Sequence, residues 1–400
     1  MFNRLSGFKS DERGVAAMLF ALVGVVILMV VGVAIDVQRG MSADKRLQSS
    51  LDAAALAGAK ALENASTTDA QIITAARAAF AANIAAGHTD VTCSTPNVAI
   101  NRTSGRVTVD ADCSLPTTMA NLVKIDKMDM TDIATARASI TQLDVAFMLD
   151  VSGSMNGSKL ADLKTATNNA IDTLITPSSG DRVRVAFNTY STSVNAGDYA
   201  DKVLDISLPG AKKKNCVSER KGAWAWKDEA PGLNKWLGNK AKSCPKSSVE
   251  PLSSNAAMLK AEINKLKASG NTAGHLGVAW AWYLISPEWD TVWPTASKPL
   301  AYDAQNSKKA VILMTDGVFN TAYEAGQGNS AQQARKLCKR MRDENIIVYA
   351  VAFEAPFSAK KTLQDCAGDP ERFFDASDGE ELKKAYAAIA SQLANLALTD

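Results

Sequence analysis

The sequence predicts an α/β chain: a doubly wound, mostly parallel sheet preceded by a transmembrane helix and a small α+β segment. Three observations carry this. Val15–Ile35 is 21 residues without a charge, about 31 Å as a helix and enough to cross a bilayer. From Leu143 onward, short apolar runs alternate with helical patterns, as in parallel sheets covered on both faces. Two of these runs end in loops rich in hydroxyls and carboxylates, Asp150-Val151-Ser152-Gly153-Ser154 and Thr315-Asp316-Gly317. Ligands of open α/β sheets bind outside such strand ends.

The first 140 residues divide into three parts. Residues 1–14 read as a short charged cytoplasmic tail and 15–35 as the transmembrane helix. Residues 36–140 form the α+β segment. The span continues without a breaker into the Ala-rich Asp36–Ala65, where Leu47, Leu51, Ala55, Gly58 and Leu62 make a stripe at helical spacing. Thr67 or Thr68 is positioned to cap a second helix through about Ala86. A hairpin follows, Asn97–Asn101 and Val107–Cys113 around a Ser104-Gly105 turn. Orientation is not set by charge, because Arg4, Lys9 and Arg13 before the span balance Arg39, Lys45 and Arg46 after it.

Residues 141–400 carry the sheet. Expected strands are Leu143–Leu149, Val183–Asn188, Val311–Met314 and Ile346–Phe353. A fifth, around Val203–Ile206, is expected as an antiparallel edge, and a short sixth near Phe373-Phe374. Helices are expected around Lys159–Leu174, Asn255–Ala268, Thr272–Ile285, Ala331–Glu344 and Gly379–Leu396.

Composition excludes several functions. With 44 Lys and Arg against 42 Asp and Glu, the net charge of +2 gives no reason to expect nucleic acid. Two histidines, His88 and His275, are too few for a His-based zinc or catalytic site. His275 follows Thr272 closely and reads as a helix-surface residue, with lining of the strand-end cleft as the alternative. Six cysteines contain no CxxC and fall into local pairs, Cys93–Cys113, Cys216–Cys244 and Cys338–Cys366. This suggests disulfides in an oxidising compartment, which places the long C-terminal part outside the cytoplasm. No Gly-rich Lys-Ser/Thr phosphate loop occurs.

The loop chemistry is sharper. Asp and Ser in the first loop are hard oxygen donors suited to Mg²⁺ or Mn²⁺. Alone they are equally consistent with an Asx-turn capping the next helix. Between the two strand ends, however, Gly270-Asn271-Thr272 opens a further helical segment. The three loops together resemble the metal-ion-dependent adhesion site of von Willebrand factor A domains. The resemblance maps the family's ligand roles onto Asp150, Ser152, Ser154, Thr272 and Asp316. It implies a divalent cation, Mg²⁺ foremost with Mn²⁺ or Ca²⁺ as alternatives, whose open position a partner's carboxylate completes. Asp150→Ala should then abolish binding and leave the apo fold unchanged.

The N-terminal part resembles the TadE/TadG-like proteins of Flp-type (tight adherence) pili. It has Arg13-Gly14 before the span, the Ala-rich Gln48–Ala59 after it and a closing Ala134-Thr135-Ala136 strand. The C-terminal half resembles the A domain of the TadG-like branch, through Trp280, Leu284–Trp289, Met314–Gly317 and Leu363–Ala367. Gly7-Phe8 with Glu12 also mimics a prepilin peptidase site, but Lys9, Asp11, Glu12 and Arg13 delay the apolar stretch.

Two regions exceed a minimal A domain. Residues 211–246 hold ten basic and three acidic side chains, a net +7, interleaved with Trp224, Trp226 and Trp236 and bracketed by Cys216 and Cys244. Such a lobe suits an anionic partner, or its tryptophans form a small core of their own, the reading favoured here. Residues 288–308 read as a structured loop. The chain is thus expected to be no enzyme. It is expected to be a single-pass bacterial inner-membrane protein, mostly periplasmic or reaching the cell surface. It would bind a pilin or another assembly protein through its metal. Direct attachment to a host or polysaccharide surface, and an accessory role beside an ATPase or chelatase, are the alternatives.

Overall fold

The computed structural model describes residues 13–85, 90–102, 104–138, 141–205, 215–304 and 307–399. The chain divides into two compact units, Met1–Ala138 and Ser139–Asp400. The peptidase-like Gly7-Phe8 and Glu12, His88 and Lys212–Lys214 lie outside the described residues.

In the first unit, α1 (Arg13–Leu62) runs 50 residues without a break. It contains no Pro, and Ala dominates its second half. Its first half exposes Met18, Phe20, Leu22, Leu28 and Val30. Such a row of exposed apolar side chains is foreign to a water-facing helix. Among the described residues this is the one helix long and apolar enough to cross a membrane. The second half buries the expected stripe, Leu47, Leu51, Ala55, Gly58 and Leu62. Gly58 marks the closest approach, since a Cβ there would lie 2.8 Å from Val107 Cγ1. The partner helix α2 (Asp69–Ala85) turns Ile72, Ala76 and Phe80 inward. Thr68 caps it reciprocally: its N–H donates to Gln71 Oε1 at 2.9 Å, and the Gln71 N–H donates to Thr68 Oγ1 at 3.3 Å.

The sheet of this unit is antiparallel, with β3 (Arg106–Pro116) at its centre. β1 (Thr92–Cys93), β2 (Asn97–Asn101) and β4 (Lys127–Arg137) all pair with it. Cys93 and Cys113 face each other in register and are disulfide-bonded. The closing Ala134-Thr135-Ala136 lies in β4.

The second unit is a three-layer α/β/α structure. Five parallel strands run in the order β12 (Phe373–Ala376), β11 (Ile347–Phe353), β10 (Ser307–Thr315), β5 (Gln142–Asp150), β6 (Val183–Tyr190). One face is covered by α3 (Ser158–Leu174), α5 (Ala256–Asn264) and α9 (Gly379–Thr399), packed over Phe147, Ile312 and Val351. The other is covered by α6 (Gly274–Ile285), α7 (Ser330–Asp343) and α8 (Phe357–Ala367), over Met148, Leu313 and Ala350. The alternation of the strands puts adjacent residues into opposite cores, so each strand reads as a continuous apolar run. Every residue of α6 is buried, as a helix apolar all round requires. Cys338 of α7 is bonded to Cys366 of α8.

Asp144, the one charge in its apolar run, has a cause. Strand register sets it beside Arg184 on β6 and Lys309 on β10. Arg184 Nε and Nη2 donate to its two oxygens at 2.9 and 3.0 Å, and Lys309 Nζ at 3.3 Å.

Three expectations need correction. The edge strand is not near Val203, which closes the short helix α4 (Ala200–Val203). It is β9 (Glu250–Ser253), antiparallel to β6, beside the two-residue strands β7 (Val194–Asn195) and β8 (Cys216–Val217). Pro251 hid it, because Pro breaks a ladder and is tolerated only at an edge. The helix expected over Asn255–Ala268 stops at Asn264. The third concerns α8, which was not expected. Its Ser-Ala-Lys-Lys start carries no long apolar stripe, and it is held by the short buried set Ala359, Thr362, Leu363, Cys366 and Ala367.

Candidate metal centre

β5 leads to one side of the sheet through β6, and β10 lies on its other side. The chain order reverses there, so a crevice opens between the carboxyl ends of β5 and β10. Asp150 ends β5, and Thr315-Asp316 ends β10.

Asp150 is fully buried. Its Oδ1 accepts the Ser152 N–H at 2.8 Å, and its Oδ2 accepts the Tyr190 hydroxyl at 2.9 Å and the Thr315 hydroxyl at 2.6 Å. Burial pushes this carboxyl upward from its ordinary range, and the nearby Asp316 charge adds to that. The hydrogen bonds from Ser152 and Thr315 pull the other way. Ser152 and Ser154 hydroxyls lie 3.1 Å apart. Ser154 Oγ donates to Asp316 Oδ1 at 2.6 Å. Thr272 joins them from the third loop: its Oγ1 and Ser154 Oγ each lie 3.7 Å from the point a Cβ on Gly317 would occupy.

Backbone hydrogen bonds hold the three loops together. The Gly153 N–H donates to Gly270 O at 2.9 Å, and the Ser269 N–H to Val151 O at 2.8 Å. Gly270 has φ of 89°, and a Cβ there would lie 2.5 Å from Thr192 Oγ1. Glycine is therefore required on two counts. The Asn271 N–H donates to Thr192 Oγ1, and the Thr272 N–H to Asn320 Oδ1, at 3.0 and 3.1 Å.

The five residues singled out by sequence thus converge on one crevice. Two carboxylates and three hydroxyls are all hard oxygen donors, a set that fits a divalent cation such as Mg²⁺. Among the described residues no group of three His, Cys, Asp or Glu could hold a metal. Any ion here depends on the hydroxyls.

Sequence reasoning missed two parts of this centre. Tyr190 and Thr315 form the inner wall that orients Asp150. Lys159, on the first turn of α3, reaches Asp316 Oδ2 at 3.1 Å and Glu354 Oε2 at 3.3 Å. Burial lowers this ammonium's pKa, but the bonds and charges of Asp316 and Glu354 outweigh it, and the net shift is upward. Lys159 is therefore an internal countercharge to the site's outer carboxylate. Its place five residues after Ser154, at a helix start beneath a DxSxS loop, was a usable signal.

His275 is neither exposed nor in the crevice. It is buried, with Nδ1 2.8 Å from Ser330 Oγ and Nε2 3.4 Å from Glu219 Oε2. Burial raises the Glu219 pKa, but His275 and the Tyr323 amide outweigh it and bring it to about 2. In the insertion, Cys216 and Cys244 are bonded. Trp226 packs on the core of the unit. Trp224 stays half-buried between Lys227 and Lys235, whose Nζ atoms lie 4.9 and 4.8 Å from its ring. Arg220 is buried over the rings of Tyr283 and Trp289.

Residues 14–61 match the family model of putative Flp pilus-assembly TadE/G-like proteins. Residues 294–388 match that of the von Willebrand factor type A domain. The chain joins a TadE/G-like segment to an A domain. A search of curated proteins finds no match. Among solved structures, the A domain is similar to the vWF domain of the type V pili tip protein Mfa5 from Porphyromonas gingivalis. The identity there is 11%, over 65% of this chain and 97% of that one, with a TM-score of 0.42. The pilus adhesin SpaC from Lactobacillus rhamnosus GG is 12% identical over 76% of this chain, which spans 34% of SpaC, with a TM-score of 0.40. Proximal thread matrix protein 1 from the mussel byssus, with zinc in its MIDAS motif, is 15% identical over 64% of this chain and 46% of that one, with a TM-score of 0.35. Likenesses at these TM-scores add nothing to the family matches. With the TadE/G-like match running along nearly its whole length, α1 fits a single-pass membrane anchor.

Proposed function

We propose that this protein is an inner-membrane component of Flp pilus assembly that binds a protein partner outside the cytoplasm through a divalent cation on its A domain. The observation that carries the proposal is the convergence of Asp150, Ser152, Ser154, Thr272 and Asp316 at the switch point of the sheet, in a chain that also matches the TadE/G-like family. Asp150, Ser152, Ser154, Thr272 and Asp316 would hold the ion. A bound cation supplies an electrophilic centre that a partner's carboxylate can ligate. The chain's own part is to fix the donors. Tyr190 and Thr315 hold the Asp150 carboxylate, and the Gly153–Gly270 bond sets the first loop against the third.

Three disulfides support a periplasmic rather than cytoplasmic A domain. They also weigh against an accessory role beside a cytoplasmic ATPase. Direct surface attachment through the insertion draws little support, since Trp226 lies half-buried against the core and Trp224 between the lobe's own lysines.

The test is a strain making Asp150→Asn protein at the normal level. Loss of pili or of attachment, with partner binding abolished equally by chelator and by the substitution, is the expected result. Full piliation and full adhesion in that strain would refute the proposal.

A further inference from the structure

The loop joining β3 to β4, residues 117–126, is apolar where the fold does not need it to be. Met119, Leu122, Val123 and Ile125 are 46, 68, 54 and 51% exposed. The loop is nonetheless tightly built. Ala120–Val123 form a 3-10 turn, which Lys124 closes in the left-handed region with φ of 67°. The Ile125 N–H donates to Ala120 O at 3.1 Å, and the Thr117 N–H to Asp126 O at 3.1 Å. The hydrophobic tip is therefore held in place rather than loosely displayed.

What holds it is α1, at the end of the apolar span. Asp36 is buried, and its carboxylate accepts the N–H groups of Thr118, Met119 and Ala120, the last two at 2.7 and 2.8 Å. These bonds, chiefly the Ala120 amide, hold its pKa below the ordinary range against the upward pull of burial. Arg39 Nη1 donates to Thr118 Oγ1 at 2.7 Å. One turn back, Met119 lies on the helix backbone at Gly32, where a Cβ would fall 2.5 Å from its Cγ. Gly32 lies inside the uncharged Val15–Ile35. That span, about 31 Å long, roughly equals the hydrocarbon thickness. The bilayer edge therefore falls near Ile35, level with the loop's tip. Asn121, Lys124 and Lys127 are exposed around the tip, polar groups suited to headgroups.

We infer that residues 119–125 enter the bilayer interface beside α1 and form a second membrane contact, clamped to the anchor through Asp36. The occupant is lipid, because the patch is continuous with the lipid-facing surface of α1. Asp36 serves as the joint, its charge satisfied by three amides at the level where a bare carboxylate would be costly. The small sheet is thereby held at a fixed height on the membrane.

The test uses the full chain in phosphatidylcholine vesicles. All described cysteines are disulfide-bonded, so an added cysteine can carry an environment-sensitive NBD label. Labels are placed at Leu122→Cys and Val123→Cys, at Val26→Cys within the span, and at Ser104→Cys in the turn at the far end of β3. Lipid spin labels near the headgroups should roughly halve the emission at 122 and 123, consistent with shallow interfacial burial, and leave 104 unchanged. Aqueous iodide should do the reverse, and Asp36→Ala should weaken the lipid quenching at 122. Iodide quenching at 122 and 123 equal to that at 104, or protection there from both quenchers, would overturn the proposal. Protection from both would mean that protein covers the patch. If spin labels deep in the bilayer fail to quench at 26, the anchor itself is refuted and the loop contact falls with it. Quenching at 26 without quenching at 122 and 123 refutes the loop contact alone.

Discussion

Lys159 gives the proposed metal centre its sharpest test, because it sets a positive charge where the ion's own charge would have to go. Its Nζ is 3.1 Å from Asp316 Oδ2. A dication held by the same carboxylate would sit ~5 Å from that ammonium, a repulsion of about 1.7 kcal/mol in bulk water and about 6.6 kcal/mol at an effective dielectric of ~20. The Lys159 side chain is 23% exposed and already touches the half-exposed Glu354, so it can swing outward, and the low end applies. Lys159→Met keeps an unbranched aliphatic stem and removes the charge, together with the Nζ that lies 5.6 Å from the Phe353 ring. Losing about 1.5 to 3 kcal/mol of repulsion should tighten Mg²⁺ binding about 10- to 150-fold. Calorimetric titration of the detergent-solubilised chain reads this directly. Without metal the variant should melt lower than wild type, because Asp316 loses its countercharge, and saturating Mg²⁺ should close the gap. If wild type binds Mg²⁺ and Lys159→Met binds it equally, the countercharge reasoning is wrong. If neither chain binds a divalent ion, the centre itself is refuted.

Other perturbations follow from the same contacts. Asp150→Ala should abolish metal binding and also cost about 1–3 kcal/mol of apo stability, because the buried Ser152 amide loses its acceptor and the Tyr190 and Thr315 hydroxyls fall back on the Met314 and Gly317 carbonyls at 3.2 Å. An unchanged apo melt, as the sequence alone suggested, would show that water replaces the carboxylate. Asp144→Asn should cost about 3–5 kcal/mol by removing the carboxylate that pairs with both Arg184 and Lys309; a denaturation midpoint within error of wild type would contradict this. Burial, with the Glu262 charge, raises Glu250 from 4.5 to about 7. The folded chain then holds a proton that the unfolded chain has lost, so this residue erodes stability as pH rises from 4.5 to about 7. Glu250→Gln should match wild type near pH 4 and melt higher above pH 7, and parallel melting curves across that range would refute the assignment.

What the sequence disclosed, and what it withheld, follows the distance over which each contact is set. Asp150, Ser152 and Ser154 are contiguous and follow a strand, so alternation and a turn suffice to bring them together. The cysteine pairs, 20 to 28 residues apart, were legible for the same reason. Tyr190 touches Asp150 only because β6 lies beside β5 in a register that makes the two residues partners. A Tyr at the end of one apolar run gives no sign of the strand it will meet. The His275–Glu219 pair is harder still, since it joins α6 to an insertion whose path no periodicity predicts. Asp144 shows the converse: a lone charge in a core strand demands a partner, but only the register names two.

These tertiary bonds also decide what kind of site this is. Thr272 belongs to a segment whose backbone is tied to every neighbour. The Ala273 N–H donates to Ser191 O at 2.7 Å, and Thr272 O accepts the Asn320 N–H at 2.9 Å. Helix α6, wholly buried, follows at once. Asp150 is equally fixed from three sides. Donors held this way do not need to be gathered when an ion arrives, so little of the binding energy is spent on ordering them. Among the charged groups of the crevice, only Lys159 sits on a long flexible stem. The rearrangement that the proposed metal binding would require thus falls mainly on one side chain, which would leave Asp316 for Glu354 or solvent, and affinity should respond more to that lysine than to any loop.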